Sequence, residues 1–261
     1  VRALHRRAFL RRCRDLLLLA ALPRPAFPAA PAAAAPAAEA GLFLDAPRMR
    51  TLRALCARFA PGPPEDQDPG ALAAGAPEYI DRLLGAFALP RPPIFAGGPF
   101  SHRHGGGRND FADFLPLDAL DELVWRTRIE GSRGLAEREW NGPVEGWQTA
   151  YLRGLARLDA AARRLCGASF ADLPAWKADL CLRLAPGGLG DFLELAFQHT
   201  AEGLYGAPEY GGNRGGVGWS LARWPGDRQP LAYTPAEIRE PDAEEAEAVA
   251  RARANARAWR S

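Results

Sequence analysis

Apolar residues recur at helical spacing in one segment of this chain after another, and proline or glycine opens or closes most of those segments. In Pro47–Ala60, Leu52, Leu55, Cys56 and Phe59 share one face, and Pro61-Gly62-Pro63-Pro64 ends the run. Residues 77–89 space Tyr79, Ile80, Leu83, Leu84 and Phe87 in the same way, and residues 116–130 carry Leu120, Leu123, Val124 and Trp125. The longest pattern, residues 143–166, lines up Val144, Trp147, Tyr151, Leu155, Leu158 and Leu165 before Gly167 stops it. Ser169 reads as the cap of a helix reaching Leu184, with Pro174 restricting its start. Residues 189–205 place Phe192, Leu195, Ala196 and His199 along one side. Residues 244–259 form an Ala/Arg/Glu helix with little apolar face, suited to fraying or to docking on a partner. Ala, Leu and Arg dominate and β-branched residues are scarce, which favours helix over sheet. The prediction is a mainly α fold, an irregular helical bundle. Its 27 glycines and 24 prolines require long ordered loops as well. The 261 residues suffice for one domain with a core of its own, expected over 41–240, followed by a charged C-terminal helix or tail over 241–261.

The first 40 residues read as an address rather than as fold. A basic stretch precedes an apolar run of seven residues, Leu16 to Leu22, and then an Ala/Pro tract. The run is far shorter than the ~20 residues of a membrane span. Arg6-Arg7-Ala8-Phe9-Leu10-Arg11 resembles a twin-arginine export signal, with Arg6, Arg7, Phe9 and Leu10 in the signal positions. Ala35-Pro36-Ala37 and Ala38-Glu39-Ala40 both fit a cleavage site. The competing reading is a basic amphipathic arm on a membrane surface. Residues after 38 carry 26 basic and 30 acidic side chains, so the body gives no electrostatic case for nucleic acid. In an exported body, Cys166 and Cys181 could pair, or remain buried free thiols like Cys56.

Catalytic signatures are missing: the sequence has no dinucleotide fingerprint, haem-attachment motif, nucleophile elbow, P-loop or zincin helix. The irregular stretch 90–115 holds the one tight histidine pair, His102 and His104, which Asp110 or Asp113 could complete as a metal site. A solvated glycine-rich loop explains the pair equally. His199 and Glu202 share a helical face and could act as acid and base, or could belong to a structural network.

Residues 199–227, HTAEGLYGAPEYGGNRGGVGWSLARWPGD, hold eight glycines, which rules out a continuous helix, and four Tyr and Trp residues, which rule out a plain linker. Gly206 should end the preceding helix and Pro208 set a turn. Tyr210 should plant its ring and keep its hydroxyl for a hydrogen bond. Gly211-Gly212 and Gly215-Gly216 permit positive φ or close backbone approach, and Asn213 can satisfy backbone groups. Arg214 has Glu202 or Glu209 as partner, and Trp219 and Trp224 should hold the loop to the helices. The loop is either a lid over the core or a surface for a partner.

This segment resembles the C-terminal signature of the gluconate 2-dehydrogenase subunit 3 family. That signature runs Thr-x-Glu-Gly-x-aromatic, Pro-x-Tyr-Gly-Gly-Asn-Arg, Gly-Trp and a Pro-Gly turn. Thr200, Glu202, Gly203, Tyr205, Pro208, Tyr210, Gly211, Gly212, Asn213, Arg214, Gly218, Trp219, Pro225 and Gly226 occupy the matching places. The resemblance implies a helical accessory subunit with no cofactor of its own. It implies an FAD-dependent large subunit of the glucose–methanol–choline type, acting on a sugar, sugar acid or alcohol, and a multihaem cytochrome c (haem c) as a third member. It further implies export of the complex through the twin-arginine translocase to the periplasm, where it would be peripherally bound to the membrane. His199, Glu202, Tyr205, Tyr210, Gly211, Gly212, Asn213, Arg214 and Trp219 would support or form the interface. The alternatives are a separate metal-dependent enzyme using His102 and His104, and an exported binding protein for a small ligand.

Overall fold

The computed structural model describes residues 40–97, 110–184, 187, 189–224 and 243–258. All of them belong to one compact unit, Ala38–Ser261. Residues 1–39, with the twin-arginine motif, lie outside the described residues, as do His102, His104 and the turn at Pro225-Gly226. The described residues are mainly helical, and their β pairing is limited to one isolated antiparallel bridge, Ala96 to Phe114. No helix among them is long and apolar enough to cross a membrane.

Helix α1, Ala46–Phe59, begins where Asp45 accepts the Arg48 N–H at 2.9 Å and Pro47 sits in the first turn. It is the central element. Met49, Leu52, Leu55 and Cys56 are buried against α3 (Ala76–Leu84), α5 (Trp147–Cys166), α6 (Ala175–Arg183) and α7 (Gly190–Tyr205). A short helix, α2 (Ala71–Ala74), leads into α3. Ile80, Leu84, Tyr151, Leu155, Leu158, Phe170 and Ala196 complete the core. Each Leu, Ile, Met or Phe among them contributes about 1.5–3 kcal/mol by leaving water.

Before α1, the chain is fastened to α3 by one carboxylate. Asp81, 5% exposed, accepts backbone N–H groups from Leu42 at 2.5 Å, Phe43 at 3.1 Å and Leu44 at 2.8 Å. Leu42 packs where a Cβ on Gly85 would stand, and there the predicted helix 77–89 breaks into α3 and a 3-10 turn, Ala86–Ala88.

Two other predicted stripes shorten. Residues 143–146 are not helical: Val144 exchanges hydrogen bonds with Ser132, and Gly146 presses against Gly131. Val144 is therefore exposed, and Leu165 is exposed in the last turn of α5, while Tyr151, Leu155 and Leu158 are buried as their spacing predicts. Helix α4, Ala119–Glu130, starts at Asp118, which accepts the Leu120 and Asp121 N–H groups at 2.9 Å. It lies at the edge, buries Ile129 fully and leaves Val124 exposed. Pro174 divides the expected 169–184 helix into a 3-10 turn, Phe170–Asp172, and α6. After α8 (Val217–Leu221), the last helix, α9 (Ala243–Ala258), packs within the chain against α4, where Arg253 pairs with Asp118 at 2.6 Å.

Cys56, Cys166 and Cys181 are free thiols. Burial pushes the Cys56 thiol up to about 12 despite its contact with the Thr200 hydroxyl at 3.3 Å, so it stays protonated and unreactive.

Candidate functional site

The C-terminal turn of α7 organises the signature segment. A helix end leaves carbonyls without intrahelical partners, and here the loop folds back to meet them. The Glu202 carbonyl accepts the Gly206 N–H at 2.7 Å, and the Gly203 carbonyl accepts the Asn213 N–H at 2.6 Å. The Tyr205 carbonyl accepts Trp219 Nε1–H at 2.7 Å. The loop is thus a cap on its own helix.

Asn213 is the hub of that cap. It is fully buried and left-handed, with φ 43° and ψ 43°. Its Nδ2 donates to the Gly206 carbonyl and its Oδ1 accepts the Gly218 N–H, both at 2.8 Å. Its own carbonyl accepts the Gly216 N–H at 2.9 Å. Two glycines make the close approach possible. A Cβ on Gly212 would overlap the Gly203 carbonyl, and one on Gly218 would overlap the Leu204 carbonyl.

Other signature residues tie the cap to the body. Arg214 pairs with Glu78 at 3.4 Å, beside Arg53 at 3.0 Å, and not with Glu202 or Glu209 as expected. It reaches Glu78 by crossing Gly75, where a side chain would block the guanidinium. Tyr210 lodges its ring 5.6 Å from Phe114 and accepts the Ala96 N–H at its hydroxyl at 2.9 Å. This fastens the two ends of the irregular stretch, where Gly97 N–H meets the Asp113 carbonyl at 2.7 Å and Leu115 N–H the Phe95 carbonyl at 2.8 Å. Gly211 takes φ 103°, a turn that glycine enters without strain. Tyr205 is half exposed, and Trp224 is 58% exposed, so it does not anchor the loop.

His199 and Glu202 turn to different partners. His199 is 1% exposed. Its ring lies parallel to Tyr151 at 5.8 Å and edge-on to Trp147 at 4.7 Å, and Nδ1 is 3.0 Å from the Tyr151 hydroxyl. Burial holds Tyr151 well above the usual tyrosine range, so its hydroxyl remains a donor for neutral His199. Burial also lowers the His199 pKa, against the opposing charge of Glu202. Glu202 accepts the Tyr79 hydroxyl at Oε2 and the Gln198 amide at Oε1, both at 3.1 Å. Burial first, and then the Glu202 charge, raise the Tyr79 pKa.

The His199 pKa gives a signed prediction. Below about pH 6.5 the unfolded chain binds a proton that folded His199 refuses, so stability present above 6.5 falls as the medium is acidified toward the depressed folded value. Thermal melts from about pH 8 to about pH 5 should show this loss, and His199→Gln should flatten that part of the profile.

Beside the cap lies a cleft of about 270 Å³. Glu202 and Tyr210 form one wall, Tyr79 and Leu83 of α3 another, and Ile94 and Trp125 close it. Periodicity marks Tyr79 and Trp125 only as apolar positions on their helices. The signal that could have set them apart is their amphipathic character, an aromatic body with a polar tip. Among the described residues, no cluster of three or more His, Cys, Asp or Glu side chains could hold a metal.

No curated protein and no solved structure matches the chain. The family model described as gluconate 2-dehydrogenase subunit 3 matches residues 46–226, from the first residue of α1 to two residues past Trp224. That span contains every helix of the core and the whole α7 cap, and the chain belongs to the gluconate 2-dehydrogenase subunit 3 family.

Proposed function

We propose that this chain is the non-catalytic small subunit of an exported, FAD-dependent dehydrogenase of the glucose–methanol–choline type, whose substrate is a sugar, a sugar acid or an alcohol. Its tasks are to stabilise the flavoprotein and to supply the twin-arginine signal at Arg6 and Arg7 that takes both across the membrane. Hydride abstraction belongs to the large subunit, and electrons leave through a multihaem cytochrome c. The complex resides in the periplasm and touches the membrane peripherally.

The observation that carries this reading is the family match across 46–226. The way the signature residues are used supports it. Asn213, Gly212, Gly218 and Trp219 are committed to capping α7, and His199 is sealed in the core. This is how a segment is built to hold a fixed surface.

Co-expression with a flavoprotein dehydrogenase that lacks a signal of its own tests the proposal. The two chains should co-purify, and dehydrogenase activity should reach the periplasmic fraction. Arg6→Lys with Arg7→Lys should leave that activity in the cytoplasm. Export and full activity of the flavoprotein without this chain would reject the role.

A further inference from the structure

The cleft beside the α7 cap contains an unneutralised carboxylate among aromatic walls. Both oxygens of Glu202 accept hydrogen bonds, but from neutral donors, the Tyr79 hydroxyl and the Gln198 amide. Among the described residues no cation pairs with Glu202. The nearby arginines are occupied elsewhere: Arg214 with Glu78, Arg126 with Glu122 and Glu130, Arg82 over the Phe114 ring, and Arg128 over the Trp125 ring at 5.4 Å. A carboxylate partly withdrawn from water is stabilised by an opposite charge that brings its own hydrogen bonds.

The geometry selects the kind of cation. An ionised carboxylate offers about four acceptor sites, and two of those on Glu202 are in use, one per oxygen. The remaining pair suits a forked donor that meets both oxygens at once, which a guanidinium provides and an ammonium does not. Tyr79, Trp125 and Tyr210 are among the residues that line the cleft. Aromatic faces stack on a planar guanidinium and attract its charge.

We propose that the cleft between α3, α4 and the end of α7 is a socket for an arginine side chain of the partner flavoprotein, its guanidinium paired with Glu202 and enclosed by Tyr79, Trp125 and Tyr210. This rests on the accessory-subunit reading and names the contact that reading requires. It also gives the cap a purpose at the interface: by fixing Gly206, Ala207 and Tyr210, it holds one wall of the socket open.

The test uses the full chain and the FAD-dependent dehydrogenase that co-purifies with it. Glu202→Gln keeps an oxygen for the Tyr79 hydroxyl and removes the charge, with the exposed hydrogen bond from Gln198 as its one other loss. It should weaken the complex about tenfold or more in a binding titration, with the melting temperature of the isolated subunit little changed. The salt dependence of the complex should flatten in parallel. A photo-cross-linking residue at position 207, on the rim, should capture a flavoprotein peptide containing an arginine. Undiminished binding by Glu202→Gln would overturn the socket and leave the accessory role standing. Capture of a peptide from this chain's own residues 98–109 or 225–242 would do the same. Should Glu202→Gln fail to fold, the cross-link alone decides. Failure of the wild-type chain to bind any flavoprotein would remove the accessory role itself, and the socket with it.

Discussion

Replacement of Asn213 by alanine is expected to destabilise the protein by about 3–5 kcal/mol, a large part of the roughly 5–15 kcal/mol that holds a typical domain together. Two terms add. The side chain makes one donated and one accepted hydrogen bond, and its removal deprives the part-buried Gly206 carbonyl and the buried Gly218 N–H of their partner. Each loss is worth about 1–1.5 kcal/mol. Alanine must also adopt the left-handed backbone that Asn213 holds at φ 43°, at about 1–2 kcal/mol. Asn213→Gly is the control, because it loses the same two hydrogen bonds but enters that conformation freely. Denaturant titration should rank wild type above Asn213→Gly, and Asn213→Gly above Asn213→Ala. Equal stability of all three would mean that the loop does not cap α7 in solution. Since the cap also shapes the cleft, the alanine variant should lose the proposed flavoprotein contact before it loses its core.

A comparable loss is expected at Asp81, for a different reason. Its carboxylate satisfies three backbone N–H groups that lie in sequence at Leu42, Phe43 and Leu44. Hydrogen bonds to a charged acceptor are worth about 1.5–3 kcal/mol each when only one partner is removed, less where water reaches the orphaned group. Asp81→Ala should therefore cost about 3–5 kcal/mol in total. Asp81→Asn should fall between, since its amide oxygen still accepts while its –NH₂ faces a donor. Hydrogen exchange offers a sharper readout: the Leu44 amide should be protected in the wild type and exchange rapidly in Asp81→Ala. Leu44 packs in the core, so the damage should spread to the first turn of α1.

Helical character was legible because the period of 3.6 is written in the apolar residues. Tyr151, Leu155 and Leu158 fall where that period puts them. The places where it failed share a cause. Val144 and Leu165 stand at the two ends of one predicted stripe, and whether an end position is covered depends on neighbours far away in sequence. The break at Gly85 follows from the arrival of Leu42, 43 residues upstream, and no local pattern announces it. At the signature loop, Asn213 was recognisable as a residue that serves backbone groups, because its side chain both donates and accepts. The partner of Arg214 was not, since Glu78 comes near only when α3 and the loop meet, and local candidates such as Glu209 look equally good on paper. The cleft was hidden for the same reason. Glu202 belongs to the recognisable motif, but its aromatic company comes from α3 and α4.

The fastening at Asp81 also has a mechanical meaning. Its three bonds to consecutive residues act in parallel, so tension applied to residues 41–44 would be shared among them. Because Leu44 is itself a core residue, the same clasp joins the entry of the chain to the packed interior, and the two would yield together under strain.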